Sequence, residues 1–340
     1  MRSLIEIVAG QPWFIRADIA AHVHGLVARE GIAGLRHLAE LKAAVHATDP
    51  HAAAGRRGER PVGATVGVVQ VLGVITQRVE EIHSAFTRST ADVAEEVQAL
   101  AAEPKVDAIV LEFDSPGGSA LGLPEAWEAI RAAQKLKPVV ASANGVMASA
   151  ALYIGSAATE VWVTPSGQIG SVGTYALHVD ESRALEAEGI GVEFIVADES
   201  PFKVEGNPYE PLGADARSEM KRMVNRYQGM FTRDLARGRG VSVDHVRERF
   251  GKGRMLSPQE AVAAKMADQV GTLDQAIRRA AALGRDRREQ REAGIAARPA
   301  AEDLAPEPLV EAPTVSAEPI PVEVVLTDEQ RAALERMRAL

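Results

Sequence analysis

Apolar and polar positions follow two different periods between residues 62 and 277. Short apolar runs bounded by Gly, Pro, Asn and Asp predict buried strands, whereas apolar residues three or four apart predict helices. The predicted strands are 64–75, 108–113, 139–141, 161–163 and 192–196. The predicted helices are 87–100, 124–136, a segment that starts at Ser149, 183–188 and 214–237. The apolar positions of the 214–237 helix are interpreted as core. This alternation predicts an α/β domain built from right-handed crossovers.

Residues 1–60 are predicted to form a helical N-terminal arm that ends in a linker. The segment Pro12–Ile15 leads into a helical pattern at 17–29, and a second pattern covers 35–45. Five of the eight histidines lie in the arm, but no Asp, Glu or His cluster at metal-ligand spacing accompanies them. The Gly- and Arg-rich residues that follow have the composition of a linker. No metal site and no cofactor is expected.

The composition changes again after residue 285. Up to Leu326 the chain is rich in Pro and acidic residues and has no aromatic residue. Such a segment buries too little apolar surface to fold, so a disordered C-terminal tail is predicted. Thr327–Gln330 has the form of a capping box, and the short helical pattern that it starts is interpreted as a docking element. The predicted domains are the arm and linker at 1–60, a folded domain at 61–285 and the tail at 286–340.

The net charge of the chain is −9 at pH 7, and the chain contains no cysteine. The charge argues against nucleic acid as a partner, because phosphate binding needs a basic surface. The absence of cysteine excludes disulfides and thiolate chemistry. Residues 138–159 are uncharged, but their Gly, Pro and Ser content fits a buried strand, turn and helix better than a membrane span. We therefore expect no membrane span and a cytoplasmic location.

Ser149 is the candidate nucleophile. It follows the 139–141 strand and an Asn144-Gly145 turn signal, and it stands where an Ala-rich helical segment begins. The free N–H groups of a first helical turn favour developing negative charge. A serine in this position is suited to nucleophilic attack if a base and an oxyanion hole lie nearby. The alternative is a serine that only caps a buried helix.

Two turns are candidates for the oxyanion hole. Pro116-Gly117-Gly118 directly follows a buried strand, where backbone N–H groups are exposed and no side chain blocks approach. Ligands of α/β sheets bind at the carboxyl ends of strands, so this turn and the Ser149 turn could line one crevice. We expect one donor from the N–H of Gly118 and one from the N–H of Ala150. The alternative is that the glycines only form a tight turn.

His178 and Lys203 are the candidate bases. His178 is the first histidine after Ser149. Lys203 lies between Phe202 and Val204, and apolar neighbours could desolvate its amine so that the neutral form accepts the serine proton. A lone lysine in a loop is normally a solvated charge. The residues alone therefore leave the choice of base open.

Five segments, in order, resemble the signal peptide peptidase A family of serine proteases, and the resemblance covers about residues 62–277. The similar segments are Asp114–Ser119 (the oxyanion turn), Met147–Tyr153 (the nucleophile segment), Gly170–Gly173, Phe202–Lys203 and Arg254–Gly271. The resemblance implies an α/β, Clp/crotonase-like fold of repeated ββα units. With the flanking segments, the predicted architecture is this fold with a helical N-terminal arm and a disordered C-terminal tail.

The resemblance also implies the roles of the site residues. Lys203 stands where single-domain members place their catalytic lysine, so a Ser149/Lys203 dyad is implied. Ser171 would orient the lysine, and Gly117 would support the oxyanion turn. Protein or peptide substrates and assembly into a homo-oligomer are implied as well.

The chain departs from the membrane-anchored members in lacking a membrane span and in the residues Gly206–Pro211 after the lysine. With the Trp13-bearing arm and the tail, these features resemble the prohead maturation proteases of tailed phages and prophages. Those enzymes cleave scaffold, and often themselves, inside an assembling capsid. We therefore predict a serine endopeptidase of this kind, whose tail docks on scaffold, capsid or portal protein. The alternatives are a bacterial protease that degrades signal or membrane peptides and a catalytically inactive capsid-assembly protein.

Two other groups share the fold that the resemblance implies. Clp proteases use a Ser-His-Asp triad, and their histidine would fall near Val172, whereas His178 comes several residues later. Crotonase-type acyl-CoA enzymes use two oxyanion turns and need neither Ser149 nor Lys203. Labelling of Ser149 by a serine-directed probe would separate a protease from a crotonase-type enzyme.

Overall fold

The computed structural model describes the backbone of residues 13–15, together with residues 64–78 and 87–296. The predicted helices of the arm, the linker, most of the predicted tail and its capped C-terminal segment lie outside the described residues. Within the described part, no helix is both long and apolar enough to cross a membrane.

Strands and helices alternate along the described chain, which confirms the predicted α/β class. The strands are β1 (Trp13–Ile15), β2 (Val66–Leu72), β3 (Val74–Thr76), β4 (Thr87–Ser89), β5 (Ala108–Ser115), β6 (Gly117–Ser119), β7 (Val139–Ala148), β8 (Glu160–Val163), β9 (Gln168–Gly170), β10 (Met255–Leu256) and β11 (Gln269–Val270). The helices are α1 (Thr90–Ala102), α2 (Leu123–Leu136), α3 (Ala150–Gly155), α4 (Ser182–Ala187), α5 (Ala214–Arg239), α6 (Val243–Arg249), α7 (Pro258–Ala263) and α8 (Leu273–Ala296).

The central sheet is mainly parallel. Its strand order is β10-β9-β7-β5-β2, with β8 paired to β7 and to β11. β5 pairs in parallel on both sides, so that Val110 lies opposite Val68 of β2 and opposite Val140 of β7. Parallel neighbours need crossover connections, and α1 and α2 lie in the two connections that flank β5. A parallel sheet with helices in its connections agrees with the crossover connections that the sequence predicted.

Two successive units each contain a long strand, one or two short strands and a helix. β2 is followed by β3, β4 and α1, and β5 is followed by β6 and α2. The short strands leave the central sheet and form a second sheet of order β1-β6-β3-β4, in which β3 and β6 are parallel. This order agrees with the ββα units that the sequence resemblance implied.

Helices cover both faces of the central sheet. Leu111 on one face belongs to the main core, which also includes the fully buried Trp127 of α2. Val110 on the opposite face packs with Ala276 and Ala280 of α8. Neighbouring residues of a strand point to opposite faces, so β5 is apolar along most of its length because both of its faces are covered.

The last described helix, α8, continues to Ala296 and so crosses the domain boundary predicted at residue 285. Arg288 forms an ion pair with Asp107, with 2.8 Å between Nη1 and Oδ1. Arg287 donates a hydrogen bond to the carbonyl of Gln134 at 2.9 Å. The change in composition marks the loss of buried apolar positions rather than the end of the helix. The first eleven residues of the predicted tail, 286–296, are therefore helical.

The turn that Asn144-Gly145 predicted is not formed, because β7 runs through it. Residues of β7 up to Ala143 pair with β8, and those from Val146 onward pair with β9. Gly145 takes a φ of +126°, which few other residues adopt, and the N–H of Val146 donates to Oδ1 of Asp114 at 3.1 Å. The local turn signal thus marks the point where the strand changes partners.

The strand predicted at 192–196 is not formed either. Every residue from 186 to 203 is exposed, and none of them after Ala187 belongs to a strand or helix. In α5, Phe231 and Leu235 are buried, whereas Met220 is only partly covered. Only the C-terminal half of the predicted core helix therefore lies in the core of the chain.

Candidate active site

Ser149 is the N-cap residue of α3, as the sequence predicted, and its backbone is strained. Its φ and ψ are 55° and −112°, a conformation that side-chain-bearing residues rarely adopt. The N–H of Ser149 donates to the carbonyl of Gly170 at 2.8 Å, and its own carbonyl accepts from the N–H of Tyr153 at 2.8 Å. Strain of this kind costs roughly 1–3 kcal/mol and is concentrated at functional sites.

The hydroxyl of Ser149 is buried and has no hydrogen-bond partner among the described residues. Although Ser149 occupies the N-cap position, its side chain forms no hydrogen bond to the N–H groups of the first turn of α3. The alternative interpretation of Ser149 as a capping serine is therefore wrong. An unpaired buried hydroxyl lowers the free energy of unfolding by about 1–3 kcal/mol. Such groups are therefore rare in folded proteins, and a catalytic role is one of the explanations for them.

The glycine turn and Ser149 lie at the same edge of the central sheet. Ser115 of β5 lies opposite Met147 of β7. Two residues after this pair, the first strand leads to Gly117 and the second leads to Ser149. Helix α3, which begins with Ala150, packs against β6. The structure therefore brings together the two turns that the sequence assigned to one crevice.

Gly118 occupies a position that only glycine fits. A Cβ atom there would lie 1.8 Å from the carbonyl oxygen of Ile75 in β3. The absence of a side chain lets β3 and β6 approach closely, which fixes the path of the backbone N–H groups in this turn. The N–H of Ala150 belongs to the first turn of α3, where a helix offers no acceptor of its own.

Ser171 also has a left-handed backbone, with a φ of 57°. Its N–H donates to the carbonyl of Arg254 at 2.9 Å, and it directly follows Gly170, the residue that accepts from Ser149. Ser171 is partly buried. The structure thus places Ser171 beside the backbone of the candidate nucleophile.

The structure does not bring either candidate base to the Ser149 hydroxyl. Lys203 lies in the exposed segment 186–203, and its N–H donates to the carbonyl of Ser200 at 3.0 Å. His178 is half-buried, and its Nε2 has no hydrogen-bond partner in the described part. Since the Ser149 hydroxyl has no partner there, neither base is within hydrogen-bonding distance of it. No cluster of three potential metal ligands occurs among the described residues.

A polar network that joins α3 to α2 and α5 was not predicted from the sequence. The hydroxyl of Tyr153 in α3 donates to Asp234 of α5, and Arg237 pairs with the same carboxylate at 3.2 Å. The guanidinium of Arg237 lies 4.0 Å from the ring centroid of Trp127, whose indole N–H donates to Ser156 at 3.1 Å. Tyr153 and Asp234 are 81 positions apart in sequence, and Trp127 and Arg237 are further apart still, so only the i, i+3 spacing of Asp234 and Arg237 could have suggested a pair.

Burial and the hydrogen bond to Asp234 raise the pKa of Tyr153 above its ordinary value, so the phenol remains a donor at neutral pH. Replacing Tyr153 with Phe should lower the free energy of unfolding by about 1–3 kcal/mol, because a hydrogen bond to a charged acceptor is lost. Urea denaturation would measure the change. The exposed Tyr209 offers a matched control, and Tyr209→Phe should change stability by less than about 0.5 kcal/mol. Equal effects of the two substitutions would contradict a stabilising role for the network.

An unpaired, strained serine beside a glycine turn at the end of a parallel sheet is the arrangement that a serine peptidase needs. Residues 131–285 match the model of peptidase family S49. This match confirms the resemblance of the chain to the signal peptide peptidase A family of serine proteases.

Relatives with described roles occur in phages and in bacteria. The chain is 31% identical over 214 residues to capsid assembly protease C of Escherichia phage lambda, covering 62% of this chain and 48% of that protein. It is 31% identical over 234 residues to head-tail preconnector protein GP5 of Enterobacteria phage P21, covering 68% and 46%. It is 27% identical over 225 residues to Protease 4 of Salmonella typhi, covering 66% and 35%. The chain thus spans about half the length of the phage relatives or less.

Among solved structures, a mutant of ClpP1 from Listeria monocytogenes is similar to this chain. The TM-score is 0.39 at 18% sequence identity, and the match covers 62% of this chain and 94% of the other.

Proposed function

We propose that the chain is a serine endopeptidase in which Ser149 is the nucleophile and Lys203 the general base. The observation that carries the proposal is the Ser149 hydroxyl, which is buried and unpaired on a strained backbone at the start of α3. The N–H groups of Gly118 and Ala150 are proposed as the oxyanion donors, with Gly117 and Ser171 in supporting positions.

The proposed reaction proceeds in two halves. The Ser149 oxygen attacks the scissile carbonyl carbon while its proton passes to the neutral amine of Lys203. The carbonyl oxygen becomes an oxyanion that accepts from the N–H groups of Gly118 and Ala150. When the C–N bond breaks, the leaving amine takes the proton from Lys203. Water then attacks the acyl-serine in the same way and regenerates the free hydroxyl.

Lys203 must move to take this part, and we propose that a second copy of the chain positions it. The segment that carries it exposes large apolar side chains, among them Ile195 at 94% and Phe202 at 68% of their full area. Exposed apolar surface of this extent is typical of an interaction site. Partly covered Met220 and Met223 of α5 supply further apolar surface. Packing between copies would cover the segment and complete the catalytic pair.

Assembly through this segment predicts that Ile195→Lys converts the protein to single chains and abolishes cleavage, because a charge would be buried at the interface. Analytical ultracentrifugation would measure the assembly state. Leu136 is also exposed, at 56%, but lies on α2 outside the segment, so Leu136→Lys is a matched control that should leave assembly unchanged. A wild-type protein that sediments as a single chain while cleaving peptides would contradict the proposal.

We further propose that the substrates are scaffold and capsid proteins of a phage or prophage, and the chain itself. Support comes from the two phage relatives, whose names describe capsid assembly and a head-tail preconnector. Coexpression with phage scaffold and capsid proteins should yield defined cleavage products that are absent with Ser149→Ala. Intact scaffold and capsid proteins alongside cleavage of unrelated unfolded protein would contradict the substrate assignment but not the peptidase.

A serine-directed electrophilic probe tests the peptidase itself. Mass spectrometry of the labelled chain should place the adduct on Ser149. The buried Ser142 also lacks a hydrogen-bond partner in the described part, so it serves as an internal reference for a hydroxyl that is unpaired but not activated. No adduct on Ser149, or equal labelling of both serines, would favour an inactive capsid-assembly protein.

A further inference from the structure

The N-terminal strand β1 pairs with β6, the strand that carries the candidate oxyanion turn. Trp13–Ile15 runs antiparallel to β6, with Phe14 opposite Gly118. On its other side β6 pairs with β3 through Gly118 and Ile75. In the part of the sheet that the structure describes, β1 is thus the outermost strand and covers the edge that β6 would otherwise expose.

This edge is close to the candidate nucleophile. β6 follows β5 at the point where β7 leads to Ser149, and α3 packs against β6. An extended peptide that adds to an exposed sheet edge binds through its main chain, largely independently of its sequence. A peptide whose carbonyl must reach both Gly118 and Ser149 would be placed alongside β6. Trp13–Ile15 occupies that place.

We propose that Trp13–Ile15 is an autoinhibitory strand. It pairs with the edge of β6 along which a substrate would bind, and so blocks the peptidase. This inference rests on the proposed function. A segment of the same chain competes with free peptides at an effective concentration that is set by the length of the tether. Because the paired segment is only three residues long, a longer substrate strand or assembly with a partner would displace it.

A purely structural role for β1 makes a different prediction. A strand that merely protects the sheet edge from wrong pairing would, when removed, lower stability or cause aggregation without raising activity. A blocking strand, when removed, raises the rate at which short peptides are cleaved. Backbone exchange at β6 and peptide cleavage must therefore be measured on the same variants.

The test uses the full chain with Trp13 and Phe14 both replaced by Pro. The N–H groups of a strand point alternately to its two sides, so two adjacent prolines remove at least one N–H that faces β6. The control replaces the same two residues with Ala, which retains both N–H groups. Hydrogen exchange of residues 117–119 is measured in a Ser149→Ala background, where self-cleavage is prevented.

The double proline variant should exchange faster at residues 117–119 and cleave a short fluorogenic peptide about fivefold faster than wild type, the factor that corresponds to one backbone hydrogen bond. The double alanine variant should stay closer to wild type in both measurements. If the double proline variant exchanges faster at residues 117–119 but does not cleave faster, β1 does not block the site. Unchanged exchange at these residues would also overturn the blocking role. Absence of cleavage in wild type and both variants would overturn the proposed peptidase and the blocking role with it, so the two failures are distinguishable.

Discussion

Replacing Ser149 with Ala should abolish peptide cleavage and self-cleavage while the protein stays folded. Removal of a catalytic nucleophile lowers kcat by roughly 10⁶-fold. The substitution should not lower the free energy of unfolding, because the hydroxyl makes no capping bond and no other hydrogen bond within the described part, and its removal relieves the desolvation cost of an unpaired buried group. Cleavage would be followed with a fluorogenic peptide, and folding with urea denaturation.

Ser142 supplies the matched control for this experiment. It lies in β7, is fully buried, and its hydroxyl likewise has no hydrogen-bond partner among the described residues. Ser142→Ala removes the same atom from β7, the strand that leads to Ser149, without touching the turn at α3, so cleavage should remain at the wild-type rate. Proteolysis that persists in Ser149→Ala would rule out the proposed mechanism. Equal loss of cleavage in both variants would point to a structural effect.

Replacing Lys203 with Arg should reduce cleavage by about 10²–10⁴-fold, the usual contribution of a general base. Guanidinium stays protonated at any accessible pH, so the variant retains the positive charge but cannot accept the serine proton. Steady-state values of kcat/KM for a fluorogenic peptide would measure the loss.

Two further variants make the assignment of the base specific. Lys221→Arg changes another exposed lysine in the same way and should leave kcat/KM unchanged. His178→Ala should reduce cleavage only slightly, although the Nε2 of His178 is buried and unpaired in the described part. If the alanine variant loses activity and the Lys203→Arg variant keeps it, His178 is the base instead.

The sequence predicted those parts of the fold that local pattern determines. The apolar run of β5 and the amphipathic spacing of α2 are each sufficient to indicate a buried strand and a helix. The start of α3 at Ser149 could be predicted because a strand and an Ala-rich segment flank it. The Asn144-Gly145 signal failed because pairing of β7 with β8 and then with β9 outweighs a local turn preference.

The site could be predicted only in part. Ser149 and Gly118 lie in turns whose partners are neighbouring strands, so strand order alone brings them together. Lys203 differs because its segment is exposed and irregular, and the strand pattern at 192–196 lacks a partner within the described chain. The contact between Tyr153 and Asp234 depends on how α5 packs, which no local pattern reveals. The pairing of Phe14 with Gly118 is equally nonlocal.

The packing of α8 has a consequence for synthesis on the ribosome. The sheet face formed by Val110 and Val140 is covered by Ala276 and Ala280, which are translated much later. The ion pair between Asp107 and Arg288 also forms only after Arg288 has been translated. The other carboxylate oxygen of Asp107 accepts from the N–H of Thr65 at 2.7 Å, and both of these residues are translated early. The nascent chain therefore keeps one face of its central sheet uncovered until α8 has emerged.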